Sequence, residues 1–177
     1  MPIPEDIEKT YTLKKQKHWI YIALTILWMA SIFINSAMTG RVSSGLSEAI
    51  IKSLVNFSAW FNDSSIIIRL REFIQSDLFH ILIRKSAHFI EFGILGLLAF
   101  GSTGIFKKIK ESYIVRMAAA SGFSLIYAAT DEIHQLFVPG RVCSVVDVII
   151  DFSGAVVFSG IVAFIMWNKK RGIRVER

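Results

Sequence analysis

The chain has 177 residues, of which 53% are hydrophobic, and it carries a formal net charge of +6. Its length suits one domain, and its apolar residues collect in runs long enough to cross a bilayer, which takes about 20 residues per helix, so a soluble protein is excluded. The basic residues flank these runs and form no basic groove or aromatic stacking motif, which argues against nucleic-acid binding.

Four apolar runs predict membrane-spanning helices. The first, "HWIYIALTILWMASIFINS" at 18–36, is long for a signal peptide and lacks a clear cleavage site, which favours an uncleaved helix. The others lie at about 78–103, with Ser76 or Asp77 as the cap, at about 116–137, ending before Pro139-Gly140, and at about 144–167. The prediction is an all-α fold, a small polytopic transmembrane helical bundle that forms a single domain over 1–177.

The segment between the first two spans, 40–76, has a different pattern. Its apolar residues recur at helical spacing opposite polar ones, and they are Leu46, Ile50, Leu54, Phe57 and Phe61. This pattern predicts an amphipathic, extracytoplasmic helix. The helix either lies on the membrane surface or packs on the other spans, and the pattern does not choose between the two.

The distribution of basic residues predicts the orientation. Most of the 20 Lys and Arg residues precede the first span, follow the last span, or lie between the second and third, where Lys107 and Arg116 are examples. Since Lys and Arg are enriched in cytoplasmic loops, we expect both termini in the cytoplasm. The turn at Pro139-Gly140-Arg141 then faces out. Within the spans, Gly93, Gly96, Gly122 and Gly154 are expected to let helices approach closely.

Ionisable residues occur in three of the predicted spans, on defined helix faces. Arg84, His88 and Glu91 follow at i, i+4 and i+7, with Lys85 beside His88. In the third span, Asp131, His134 and Gln135 share a face, with Glu132 to its side. In the fourth, Asp147 and Asp151 are spaced i, i+4, after Ser144.

These acids lie at similar depth. Glu91, Asp131 and Asp151 are each seven residues from a reference position near the outer surface, which is about 10 Å along a helix. A charged side chain in the middle of a membrane costs roughly 2.5–3.5 kcal/mol, so we expect the acids to face one another across a polar cavity. Five acids against Arg84, Lys85 and Arg141 leave an excess of negative charge. Protonated histidines, raised acid pKa values or a divalent cation would balance it.

A purely structural alternative is a buried ion-pair network that fixes helix register. Glu132 would then pair with Arg141, and Lys85 would extend to the surface. A divalent metal held by His88, Glu91, Asp131 and His134 fits the ligand types, but the spacing H-x-x-E alone is a weak signal. No metal site is therefore predicted, and no cofactor is identified.

The motifs "RKSAHFIEFGILGLL" (84–98) and "DEIHQLFVPGRVCSVVDVIIDFSGAVVFSG" (131–160) resemble the VanZ-like family. The resemblance covers the second to fourth predicted spans closely, and the first span loosely, through Asn35-Ser36. It implies a multi-pass bacterial membrane protein, and it links the family to teicoplanin resistance and the cell envelope.

The location and charge of these residues predict three possible functions. The first is binding or modification of an envelope amphiphile or lipid-linked cell-wall component. In this hypothesis the acid–base residues are His88, Glu91, Asp131, Glu132, His134 and Asp151, and the binding residues are Arg84, Lys85, Gln135, Arg141, Ser144 and Asp147. The second is a non-catalytic factor that sequesters a lipophilic antibiotic or organises the envelope. The third is a proton or ion relay, which the uncharged inner halves of the spans disfavour.

Overall fold

In the computed structural model the described residues are 5–61, 64–106, 109 and 112–175, and their side chains are described for 16–39, 45, 47–61, 64–106, 109 and 112–171. All secondary structure in these ranges is helical. The helices are α1 (Glu5–Ala37), α2 (Gly40–Ser58), α3 (Ser65–Ile74), α4 (Asp77–Ser102), α5 (Tyr113–Gln135) and α6 (Val145–Val175), with a 3₁₀ turn at Thr103–Ile105. The all-α prediction is confirmed.

Three of the described helices are long and apolar enough to cross a membrane: Gln16–Ala37, Asp77–Ile105 and Val145–Arg171. They correspond to the first, second and fourth predicted spans. Ser76 caps α4, because its hydroxyl accepts a hydrogen bond from the Phe79 amide at 3.3 Å. The remaining predicted span corresponds to α5, which is outside this group because Arg116 and several small polar residues interrupt its apolar run.

The bundle is centred on α4, which packs against α6, α1 and α5, while α5 also packs along α6. Two glycines allow α4 and α6 to approach closely. A Cβ atom on Gly154 would lie 2.1 Å from the carbonyl oxygen of Phe89, and one on Gly96 would lie 2.7 Å from the Cα of Ala155. The expectation for Gly122 was wrong, because nothing lies within 4 Å of a Cβ atom there.

At the end of the bundle where α5 begins, Arg116 is buried, with only 6% of its surface exposed. Its guanidinium donates hydrogen bonds to the carbonyl oxygen of Phe100 at 2.8 Å and to the hydroxyl of Thr103 at 3.1 Å. It also stacks on the Phe100 ring at 4.1 Å. Arg116 therefore satisfies backbone groups at the end of α4, whereas the sequence analysis counted it only among the basic residues that flank the spans.

The segment 40–76 forms two helices rather than one. Arg71 of α3 donates hydrogen bonds to the hydroxyl and carbonyl oxygens of Ser58 at 3.0 and 2.9 Å, which joins α3 to the end of α2. Within α2 the buried apolar residue is Ile51, whereas Ile50 and Phe57 of the predicted stripe are 49% and 62% exposed. The described part of the apolar stripe is therefore largely exposed, although Ile50 also lines a cavity of the bundle.

Several residues used in the sequence analysis lie outside the described part of the chain. Among the basic residues of the orientation prediction these are Lys107, Lys108, Lys110 and Arg177, together with the side chains of Lys9, Lys14, Lys15, Arg41 and Arg174. The side chain of Leu46 in the amphipathic stripe is also among them.

Candidate functional site

The charged residues meet at one end of the bundle, where α1 and α5 end and α4 and α6 begin. This arrangement follows from the order of the helices. The chain leaves α1 and re-enters the bundle in α4 at this end, and it leaves α5 and re-enters in α6 at the same end. Cross-helix contacts join α4 to α6 through Lys85 with Asp147 and His88 with Asp151, and join α5 to the start of α6 through Glu132.

A histidine–aspartate pair connects α4 and α6. The Nδ1 atom of His88 lies 3.4 Å from the Oδ1 atom of Asp151, within ion-pair range but long for a hydrogen bond. Asp151 is fully buried, and within the described residues neither of its carboxylate oxygens has a hydrogen-bond partner. Because an unsatisfied buried carboxylate is costly, His88 is the group available to Asp151 for charge balance.

Glu91 is held by two residues of α1. The Asn35 amide donates a hydrogen bond to the Oε1 atom of Glu91 at 2.8 Å, and the Trp28 indole donates to the Glu91 backbone carbonyl at 2.9 Å. Sequence reasoning did not assign Trp28, and it mentioned Asn35 only through the loose family pattern. The feature of the sequence that could have identified Asn35 is its amide side chain at the end of an otherwise apolar span.

Asp131 and Glu132 are both buried at the end of α5. The Gln135 amide donates a hydrogen bond to the Oδ2 atom of Asp131 at 3.0 Å. The Oε2 atom of Glu132 accepts a hydrogen bond from the Ser144 backbone amide at 2.7 Å, just before α6 begins. Among described residues, the second oxygen of each carboxylate lacks a hydrogen-bond partner. Glu132 thus ties the turn between α5 and α6 to α5 instead of pairing with Arg141.

The three predicted cations occupy different environments. Lys85 forms a salt bridge with Asp147 of α6, so its charge is neutralised within the protein. Arg141 donates hydrogen bonds to the carbonyl oxygens of Met38 at 3.3 Å and Asn35 at 3.4 Å, which docks the turn between α5 and α6 on the end of α1. Partial burial and the nearby charge of Arg84 lower the pKa of Arg141. Arg84 is exposed.

These groups surround a cavity of about 410 Å³. Its polar lining includes Asn35, Arg84, His88, Glu91, Asp131 and Arg141, and its apolar lining includes Ile32, Ile50 and Ile83. The volume is within the range of small-molecule sites, about 300–1,000 Å³. The cavity combines two arginines, two carboxylates and a histidine with apolar walls, which suits a ligand that is charged at one end and apolar at the other.

The other candidates lie around this cavity rather than in its described lining. Asp151, Glu132, Gln135, Ser144, Lys85 and Asp147 contact lining residues or the elements that carry them. The His134 ring packs against Phe33 of α1, with ring centroids 4.6 Å apart. His134 therefore lies against α1 and is not among the residues that line the cavity with His88 and Glu91.

No group of three or more His, Cys, Asp and Glu side chains among the described residues is arranged to hold a metal ion. The alternative of a metal bound by His88, Glu91, Asp131 and His134 thus has no support in the described geometry.

Helices long enough to span a bilayer, with a charged cavity at one end of their bundle, define a helical integral membrane protein. A model of the VanZ/LLP1 family matches residues 21–167, which is most of the chain. The protein belongs to this family, which confirms the resemblance seen in its motifs. No curated protein and no solved structure gives a match.

Proposed function

We propose that the protein spans the bacterial cell membrane four times, with α5 as the third span in chain order and both ends of the chain in the cytoplasm. The length of α5, 23 residues or about 34 Å, is sufficient for a span, and α5 packs between the apolar helices α4 and α6. The Lys and Arg distribution supports the orientation. The cavity then opens toward the cell exterior, with α2 beside it.

In this cavity the protein binds, and chemically modifies, an envelope amphiphile with an anionic head group. The observation that carries the proposal is the shared lining by Arg84 and Arg141 together with apolar side chains such as Ile32 and Ile50. Arginine guanidinium groups bind phosphate or carboxylate through paired hydrogen bonds. The apolar walls accommodate the adjoining lipid part, which fits a lipid-linked cell-wall component.

Acid–base chemistry is assigned to the inner part of the cavity. His88 lines the cavity and has Asp151 behind it, an arrangement that orients an imidazole for proton transfer. Glu91 and Asp131 also line the cavity, where either carboxylate can exchange a proton with a bound hydroxyl group or water. Glu132, Gln135, Lys85, Asp147 and Ser144 act as positioning residues, since each contacts another residue or element of the site.

The apolar walls favour a second candidate, sequestration of a lipophilic antibiotic without chemistry. The link to teicoplanin resistance rests on the family resemblance. The two functions differ in stoichiometry: a catalyst protects cells at low copy number, whereas a sequestering protein protects in proportion to its abundance.

Mass spectrometry of envelope lipids and polymers tests the proposal in a deletion strain complemented with wild-type or variant protein. We expect His88→Gln and the double variant Arg84→Gln/Arg141→Gln to give the deletion profile at equal membrane abundance. His80→Gln is the matched control, because His80 lies two turns earlier on α4 and is not among the lining residues of the cavity. A wild-type profile in both site variants would reject the proposal.

A further inference from the structure

A second cavity lies at the opposite end of the bundle, where α5 begins and α6 ends. It has a volume of about 620 Å³ and is a groove between the two helices. Gly160 and Ala163 of α6 line it with no side chain and a methyl group respectively, whereas Met117 of α5 and Phe164 of α6 contribute large side chains. A Cβ atom on Gly160 would be 3.5 Å from the sulfur of Met117, an ordinary contact distance, so a side chain larger than alanine at this position would occupy the groove.

The groove has the length of one leaflet. Gly160 and Arg171, which both line it, are eleven residues apart on α6, or about 16 Å along the helix axis. Half of the hydrocarbon core of a bilayer is about 15 Å. An acyl chain of one leaflet therefore fits along the groove, with its head group at the end of α6.

That end carries two cations held by aromatic rings. The Arg171 guanidinium lies 4.6 Å from the centre of the Trp167 ring, and the Lys170 ammonium lies 6.0 Å from that of Tyr113. All four side chains line the groove, and the described lining contains no acidic residue. Tyr and Trp are typical of the interface between hydrocarbon and head groups, where basic residues attract anionic lipids.

We infer that this groove is a binding site for one anionic phospholipid of the leaflet on that side of the membrane. Lys170 and Arg171 bind the phosphate, Trp167 and Tyr113 fix the depth of the head group, and one acyl chain lies on Gly160 and Ala163. The site is separate from the Arg84 and Arg141 cavity, and it is independent of the function proposed for that cavity.

Native mass spectrometry of the purified full chain tests this site, with phosphatidylglycerol and phosphatidylcholine supplied as competing probes. We expect the wild-type protein to retain one phosphatidylglycerol with at least a tenfold preference. Lys170→Gln/Arg171→Gln should lower its retention to the level of phosphatidylcholine. Lys169→Gln is the matched control, because Lys169 is exposed on the same turn and is not a lining residue.

The groove itself is tested by the graded variants Gly160→Ala and Gly160→Leu, which keep both cations. We expect Gly160→Leu to lose most of the retained lipid and Gly160→Ala to lose less, with the melting temperature showing that each variant is folded. Equal retention of the two lipids by the wild-type protein would mean general lipid contact and would overturn the inference. An effect of Lys169→Gln as large as that of the double variant would overturn it too.

Discussion

His88 of α4 and Asp151 of α6 face each other where these two helices pack closely, with Nδ1 and Oδ1 3.4 Å apart. Asp151 precedes Gly154 on α6 by about one turn. Gly154 contacts the backbone of α4 at Phe89, the residue after His88. The close backbone approach therefore brings the imidazole and the carboxylate together. Packing and site chemistry depend on the same few residues.

The first prediction concerns the energetic coupling of this pair. Removing one partner of a buried ion pair leaves the other uncompensated, at a cost of about 3–5 kcal/mol, whereas replacing both with apolar residues is often nearly neutral. We expect His88→Leu and Asp151→Leu each to lower the free energy of unfolding, and the double variant to recover most of the loss. Unfolding by SDS in mixed micelles measures these values.

Activity provides the control for this cycle. The double variant should be stable and abundant in the membrane but should give the envelope profile of the deletion strain, since it has no imidazole in the cavity. If the two single substitutions are additive in the free energy of unfolding, the two side chains are not coupled and the pairing is refuted.

The second prediction concerns two glycines within the spans. Gly154→Ala places a Cβ atom 2.1 Å from the carbonyl oxygen of Phe89, so the backbones of α4 and α6 must separate. We expect a loss of about 1–3 kcal/mol in the free energy of unfolding, as for other overpacked positions. The same variant should lose site activity, because α4 carries His88.

Gly122→Ala is the matched control, because no described atom lies within 4 Å of its added Cβ. Alanine favours a helix over glycine by up to about 1 kcal/mol, so this variant should be neutral or slightly stabilised. Similar destabilisation by the two alanines would show that close helix approach at Gly154 is not the cause.

The third prediction concerns Cys143, which lies in the turn between α5 and α6 and is the only cysteine of the chain. Partial burial and the nearby Glu132 carboxylate raise the pKa of this thiol. A raised pKa leaves less thiolate at neutral pH, and the thiolate is the reactive form. Maleimide labelling of the purified protein should therefore be slow at pH 7 and faster at higher pH. The midpoint of this rise in rate should lie at a higher pH in the folded protein than in the unfolded chain.

Glu132→Gln should shift this labelling profile to lower pH, because it removes a negative charge beside the thiol. Glu48→Gln, which changes an exposed carboxylate on α2, should leave the profile where it is. A profile that Glu132→Gln does not move would show that Glu132 is not beside Cys143.

Helical spacing and depth predict that Glu91, Asp131 and Asp151 lie on the same side of the bundle at similar depth. Both quantities follow from the sequence, because rise and rotation per residue are fixed in an α-helix. The cost of burying charge then requires the acids to face the protein interior. The lining of the cavity and the contact of His88 with Asp151 agree with this reasoning.

The partners across helices were not predictable in the same way. Spacing places Asp131, Gln135 and His134 on one broad face, with His134 about 60° to one side of Asp131. Which edge of that face meets α1 depends on how α5 is rotated against its neighbours, and the Phe33 contact of His134 records that choice. The hydrogen bond from Asn35 to Glu91 also depends on the packing of α1 against α4.

The burial of Arg116 is a second feature that the sequence alone did not predict. Its position between a basic loop and an apolar run is typical of an interfacial residue, and its charge counts toward the orientation. In the structure it is buried, because Phe100 and Thr103 offer two acceptors and an aromatic face at the end of α4. Only the three-dimensional neighbourhood of the helix end could reveal this role.

The central claim is that the charged cavity is water-filled and open to the cell exterior, and cysteine accessibility tests it most directly. In a Cys143→Ser background, Ala87→Cys places a thiol in the lining of the cavity, and Ile90→Cys places one on the exposed face of the same helix at similar depth. A small membrane-impermeant methanethiosulfonate is added to intact cells. The account predicts rapid modification at position 87 and none at position 90, where lipid covers the helix. The account would be contradicted if neither thiol were modified in intact cells. It would also be contradicted if the thiol at position 87 were modified in inverted vesicles but not in intact cells.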